Sequence, residues 1–116
     1  MSNTTSIGLR AESVASSYLM ELGYKILARN ARTRFYELDI VAARPGEIVL
    51  VEVKYRKNSH YGGGLHSINQ DKLRRLQNGF NMWLSENPDF LEHQARIDLI
   101  ALDEKGNIEH LENITD

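Results

Sequence analysis

Apolar positions recur three and four residues apart at the start of the chain. Gly8, Ala11, Glu12, Ala15, Leu19 and Leu22 form one stripe, widened by Val14 and Tyr18, which predicts an amphipathic helix over residues 8–22. Gly23 suits a left-handed stop, and the polar residues 1–6 are expected to be frayed or disordered. The period then shortens to two, predicting strands over 24–30, 35–43 and 48–55. The last two are joined through Arg44-Pro45-Gly46-Glu47, and proline then glycine fits the centre of a type II turn. A polar loop over 56–66, with Gly62-Gly63-Gly64 inside it, leads to a second helix over 68–86 whose stripe is Leu73, Leu76, Phe80, Trp83 and Leu84. Ser67 with Gln70 reads as its capping box and Asn87-Pro88 as its stop. Two more strands follow over 96–102 and 107–111. The order helix, three strands, helix, two strands predicts one α/β domain over 1–116, with a mixed central sheet flanked by helices.

Composition narrows the class. In 116 residues, 41% hydrophobic and 26% charged, there is room for one modest core. No apolar run approaches a membrane span and no secretory h-region stands near the start, so no membrane partner and a cytoplasmic home are expected. The chain has no cysteine, which removes disulfides and thiolate metal sites. Its net charge of -2 is unevenly spread: residues 29–75 carry +5 and residues 76–116 carry -7. A locally basic half is enough to attract a polyanion.

The two central strands carry the candidate chemistry. Alternation puts Glu37 and Asp39 on one face of their strand, and Glu52 and Lys54 on one face of theirs. With Pro45 and Gly46 as loop residues, facing partners sum to 91, setting Asp39 opposite Glu52 and Glu37 opposite Lys54. Two acids directly across an antiparallel pair repel. A cation between them, or a proton on one, would relieve that. Magnesium needs only two or three protein oxygens beside its waters, so Asp39, Glu52 and the Val53 carbonyl form a candidate metal side with Lys54 as the amine. A solvated cross-strand ladder of charges is the competing reading. Glu12 sits mid-stripe on the first helix, where a bare carboxylate is costly to bury. Either the metal cluster or an ion pair with Arg29, Arg32 or Lys54 would meet it.

Other residues are weaker candidates. Gln70, beside its capping role, and Glu37 are accessory positions, and Arg32, Arg34, Arg56, Lys57, Lys72 and Arg75 are candidates for phosphate contact, with Asn30 beside them. Tyr55 and Tyr61 are candidate stacking aromatics, while His60 and His66 flank the glycine loop at a spacing without metal logic.

Read in order, Gly8 with Glu12 and Ala15, Leu19 through Gly23-Tyr24 to Asn30 and Arg32, Glu37-Leu38-Asp39-Ile40-Val41-Ala42, Val51-Glu52-Val53-Lys54 with Arg56, and Lys72, Arg75 and Leu76 resemble the motif series of the YraN-like family of small bacterial proteins over about residues 8–102. That family is similar to archaeal Holliday-junction resolvases and to the restriction-endonuclease-like superfamily with its PD-(D/E)xK core. The resemblance implies a restriction-endonuclease-like mixed sheet and a nuclease, acting on DNA, whose catalytic residues are Glu12, Asp39, Glu52 and Lys54, with magnesium (or manganese) at Asp39 and Glu52. Branched substrates and a homodimer are implied by analogy alone. Ala11 and Tyr36 stand where the family has glycine, and both are expected to crowd the backbone near the site. Against the enzyme stand a non-catalytic nucleic-acid-binding module and a structural or partner-binding protein whose acids are only paired internally.

Overall fold

A computed structural model describes residues 3–56 and 68–115, and for residues 3–9 the backbone only. Lys57, His60, Tyr61, the three glycines at 62–64, His66 and Ser67 lie outside the described residues. The elements are α1 (Asn3–Glu21), β1 (Lys25–Arg32), β2 (Glu37–Arg44), β3 (Glu47–Arg56), α2 (Gln70–Glu86), β4 (Gln94–Asp103) and β5 (Ile108–Leu111), with one 3₁₀ turn at Pro88–Phe90. The five strands form a single sheet in sequence order. Neighbours are antiparallel except β3 and β4, which run parallel and are linked through α2. A parallel pair needs such a crossover. No described helix is long and apolar enough to cross a membrane.

α1 begins at Asn3, ahead of the predicted residue 8, so residues 3–6 carry its first turn. It ends in a Schellman motif: the Tyr24 amide donates to the Leu19 carbonyl and the Gly23 amide to that of Met20, each at 3.0 Å. Gly23 takes the required left-handed conformation at φ 93°. The buried stripe of α1 is Ala11, Glu12, Ala15, Ser16 and Leu19, whereas Val14 and Leu22 are exposed. Ser67 of the predicted capping box lies outside the described residues. Asn69 caps the helix, its side chain accepting the Lys72 amide at 2.8 Å, and the helix starts at Gln70.

Each helix covers one sheet face. Ala11, Ala15 and Leu19 of α1 pack on Ile40, Ala42, Val49, Val51 and Ile100. Leu76, Phe80 and Trp83 of α2 pack on Leu38, Val41, Ala43, Ile48 and Leu50. Each fully buried aliphatic or aromatic side chain contributes roughly 1.5–3 kcal/mol, so the two layers hold the sheet rigid beneath the polar groups at its edges. The tip of the β1–β2 hairpin is anchored on α2. Tyr36 donates to Glu86 at 2.7 Å, and a Cβ on Gly79 would stand 2.7 Å from that of Tyr36. The expected crowding by Tyr36 is thus absorbed by a glycine on the facing helix.

Candidate active site

The β2–β3 hairpin follows the sum-of-91 register from Arg44–Glu47 to Ile40–Val51, and Gly46 has φ 79° as a type II turn requires. There the ladder stops. Glu37 pairs with Arg32 on β1 and Lys54 with Ala101 on β4, so the predicted Glu37–Lys54 pairing is not made. The strands separate because alternation breaks at Asp39. Leu38 and Ile40 are two residues apart and should share a face, yet Leu38 packs under α2 and Ile40 under α1. Asn30, flanked by the pairs Arg29–Ile40 and Ala31–Leu38, has φ 52°, a conformation asparagine tolerates better than most residues. This twist turns the Asp39 carboxylate into the gap, where Oδ2 accepts the Val53 amide at 2.9 Å. An amide and carbonyl of one strand residue project to the same edge, so the Val53 carbonyl faces that gap too.

The carboxyls of Asp39 and Glu52 interact with each other, and their pKa values are driven apart. Burial, the interaction with Glu52 and the Glu52 charge push Asp39 up to about 8, against the pull of the Val53 amide. Burial would also raise Glu52, but the interaction with Asp39 and the charges of Lys72 and Lys54 outweigh it and hold Glu52 below its ordinary range. The pair therefore holds a proton more readily than two separate carboxyls would, on the Asp39 side. Lys72, reaching back from the first turn of α2, sets Nζ 3.0 Å from Glu52 Oε2, a charge contact without hydrogen-bond alignment. Lys72 is a surprise: sequence reasoning offered it to phosphate, and only the docking of α2 onto the sheet reveals its carboxylate.

Glu12 enters the same field from α1. It is 8% exposed, and no described group hydrogen-bonds its buried Oε1. Burial raises its pKa, Arg29 and Arg32 pull it back, and Glu52 raises it further. Arg29 itself donates to Ser13 at 2.9 Å. Among the described residues, no three Asp, Glu or His side chains form a ready metal cage. Two adjacent carboxylates and an orphaned third suit a hard cation that keeps several waters.

The remaining candidates scatter. Gln70 is exposed at the start of α2 and makes no described contact with the acids. Asn30 accepts Arg32 Nε at 3.0 Å. Arg56 is half-buried, its Nε without a described partner. Tyr55 lies on the α1 side, lining a cavity of about 180 Å³ with Arg10, Val14 and Leu102. Arg34, Glu37, Lys72 and Arg75 line one cleft of about 390 Å³ between the β1–β2 tip and α2.

Comparison with known proteins agrees with the motif series. The profile of the uncharacterised protein family UPF0102 matches residues 11–102. A UPF0102 protein of Carboxydothermus hydrogenoformans is 35% identical over 98% of both chains. One from Pelobacter propionicus is 43% identical over 91% of this chain and 79% of its own. One from Vibrio parahaemolyticus is 36% identical over 86% of this chain and 83% of its own. The chain therefore belongs to the uncharacterised protein family UPF0102.

Proposed function

We propose that the chain is a divalent-metal-dependent nuclease that hydrolyses DNA phosphodiester bonds. The observation that carries this reading is the buried pair Asp39–Glu52 at the splayed end of a hairpin, Asp39 on the Val53 amide and Glu52 on Lys72, with the Lys54 amine in the same field. Like acids held together inside a protein destabilise it unless something is gained by their proximity. The restriction-endonuclease-like resemblance assigns the same residues to the same task.

Asp39, Glu52 and the Val53 carbonyl would hold magnesium or manganese. When bound, the ion supplies a Lewis acid for a phosphate oxygen and an acidified water. The chain's own groups do the rest. Lys54 orients the attacking water and stabilises charge developing on the phosphate. Glu12 accepts from a water on the α1 side through its unpaired oxygen. Lys72, which contacts Glu52 and lines the neighbouring cleft, would offer its charge to the substrate phosphate. A cation would compete with protons for Asp39, whose pKa burial and Glu52 raise, so metal affinity should fall as the pH drops.

The test is incubation with linear and four-way DNA in magnesium, manganese or EDTA. Cleavage that needs metal and drops at least about 10²-fold in Asp39→Ala and Lys54→Ala supports the enzyme. Metal-independent cleavage, or none on any DNA, overturns it. A second reading, a nucleic-acid-binding module without catalysis, is favoured by the cationic cleft beside the acids. It predicts salt-sensitive binding with no cleavage.

A further inference from the structure

We infer that the cleft between the β1–β2 tip and α2 is a subsite for one unpaired nucleotide, with Phe35 as the stacking platform; this rests on the nucleic-acid reading above and narrows its substrate to strands with an unpaired base. Phe35 is 68% exposed, the most exposed large hydrophobic among the described residues. A single exposed apolar residue needs no explanation by itself. This one is held out by a rigid turn. The amides of Phe35 and Tyr36 both donate to Thr33 Oγ1, the Thr33 amide donates to the Tyr36 carbonyl at 2.9 Å, and Tyr36 is tied to Glu86 on α2. The ring is therefore presented in one place, with Arg34 set 5.5 Å from its centroid.

The surroundings fit a nucleotide. Beside the ring, Arg34, Lys72 and Arg75 bring three cations, and Asn78 adds an amide, around a cleft of about 390 Å³. Guanidinium groups pair with phosphate through planar forks, and an aromatic face stacks any base regardless of sequence. A cleft of this size, within the range of small-ligand sites, has room for a single nucleotide. Lys72 joins the cleft to the acids, because it lines the one and stands 3.0 Å from Glu52 in the other. A strand whose phosphate lies at Asp39 and Glu52 therefore places a neighbouring nucleotide against Phe35.

The experiment uses the full chain in EDTA, where no metal-dependent hydrolysis occurs, with oligonucleotides carrying the fluorescent base 2-aminopurine. Probes are a single strand, a duplex with one unpaired 2-aminopurine, and a blunt duplex of the same sequence. The wild type is expected to quench the unpaired base and to bind both unpaired probes roughly tenfold tighter than the blunt duplex. Phe35→Leu keeps the apolar bulk but loses the π-face, so it should lose quenching and most of that preference, and Phe35→Trp should restore both. Equal binding of all three probes by the wild type, or Phe35→Leu behaving as wild type, overturns the subsite. Because stacking is read without metal, failed cleavage in the earlier assay sinks the nuclease and leaves this result to stand or fall alone.

Discussion

The sheet buries two polar clusters, and they are built on opposite principles. Around Asp98 every charge has its complement. Asp98 is fully buried, yet Arg96 donates to it through Nε at 2.9 Å and Nη2 at 3.2 Å, the Asn113 amide donates at 2.9 Å, and His110 Nε2 lies 2.8 Å away. A carboxylate only accepts, so His110 Nε2 donates to Asp98, while Nδ1 lies 2.9 Å from Tyr18 Oη. Arg96 goes on to Glu47 at 2.7 Å and to Tyr24 at 2.8 Å. Burial would raise Asp98, but these donors outweigh it and hold it low. The cluster of Glu12, Asp39 and Glu52 is the reverse: three acids in one field, Glu12 and Asp39 raised by burial, and Glu12 and Glu52 each with a buried oxygen that no described group hydrogen-bonds. The first arrangement ties α1, β4, β5 and the C-terminal residues together. The second brings like charges together, which costs stability.

The sharpest way to break this comparison is Asp98→Ala. It takes the carboxylate from Arg96, which keeps Glu47, and from His110 at once, and removing one partner of a buried charge pair costs about 3–5 kcal/mol. For a domain of ordinary stability, about 5–15 kcal/mol, urea unfolding at pH 7 should show a midpoint displaced by a large fraction of its value. A shift no greater than that of a surface variant would show that the network is decoration. The acid limb follows the same group. The folded pKa of Asp98 is depressed, so its contribution is present above the unfolded value near 4 and is lost as the pH falls through the lower folded value.

Asp39→Asn should do the opposite. The folded pKa of Asp39 is raised to about 8, so metal-free wild type is most stable while the group is protonated in both states. Between about pH 4 and 8 the native carboxyl keeps a proton that the unfolded chain has shed, and stability falls with rising pH. Asparagine removes that penalty. Thermal unfolding in EDTA should give the variant a Tm higher by roughly 5–10 °C at pH 9, with little difference at pH 4. A lower Tm at pH 9 would mean that the carboxylate stabilises the fold and that the contrast between the clusters is false.

The sequence made the two clusters unequally visible. The hairpin register was legible because Pro45-Gly46 fixes the turn and period-two alternation carries it outward, as far as Ile40–Val51. The acids were legible because they interrupt apolar runs at a spacing of two. The splay at Asp39 was not, since it depends on the backbone of Asn30 in a neighbouring strand. Lys72 was taken for a phosphate contact because its partner lies 20 residues away on another element. The Asp98 network was missed entirely. Its donors reach Asp98 from two to 15 positions away, but Tyr18 is 92 residues from His110 and Tyr24 is 72 from Arg96, and no local pattern announces such partners.

Smaller substitutions refine the same contrast by deleting little more than an atom. Tyr18→Phe removes the hydroxyl from His110 and leaves a ring nitrogen without its partner, so it should cost about 1 kcal/mol in urea titrations. Glu12→Gln leaves the shape of its side chain intact and removes a charge that burial opposes. The raised pKa means that the folded state prefers the neutral form, so the amide should be neutral or stabilising by less than about 1 kcal/mol at pH 7, vanishing toward pH 4 where both states protonate. The pull of Arg29 and Arg32 sets the ceiling on that gain, because each loses an attractive partner when the charge goes. A clear loss from Glu12→Gln at pH 7 would show those two arginines to be true counter-ions, and Glu12 would then belong with Asp98 as a structural acid.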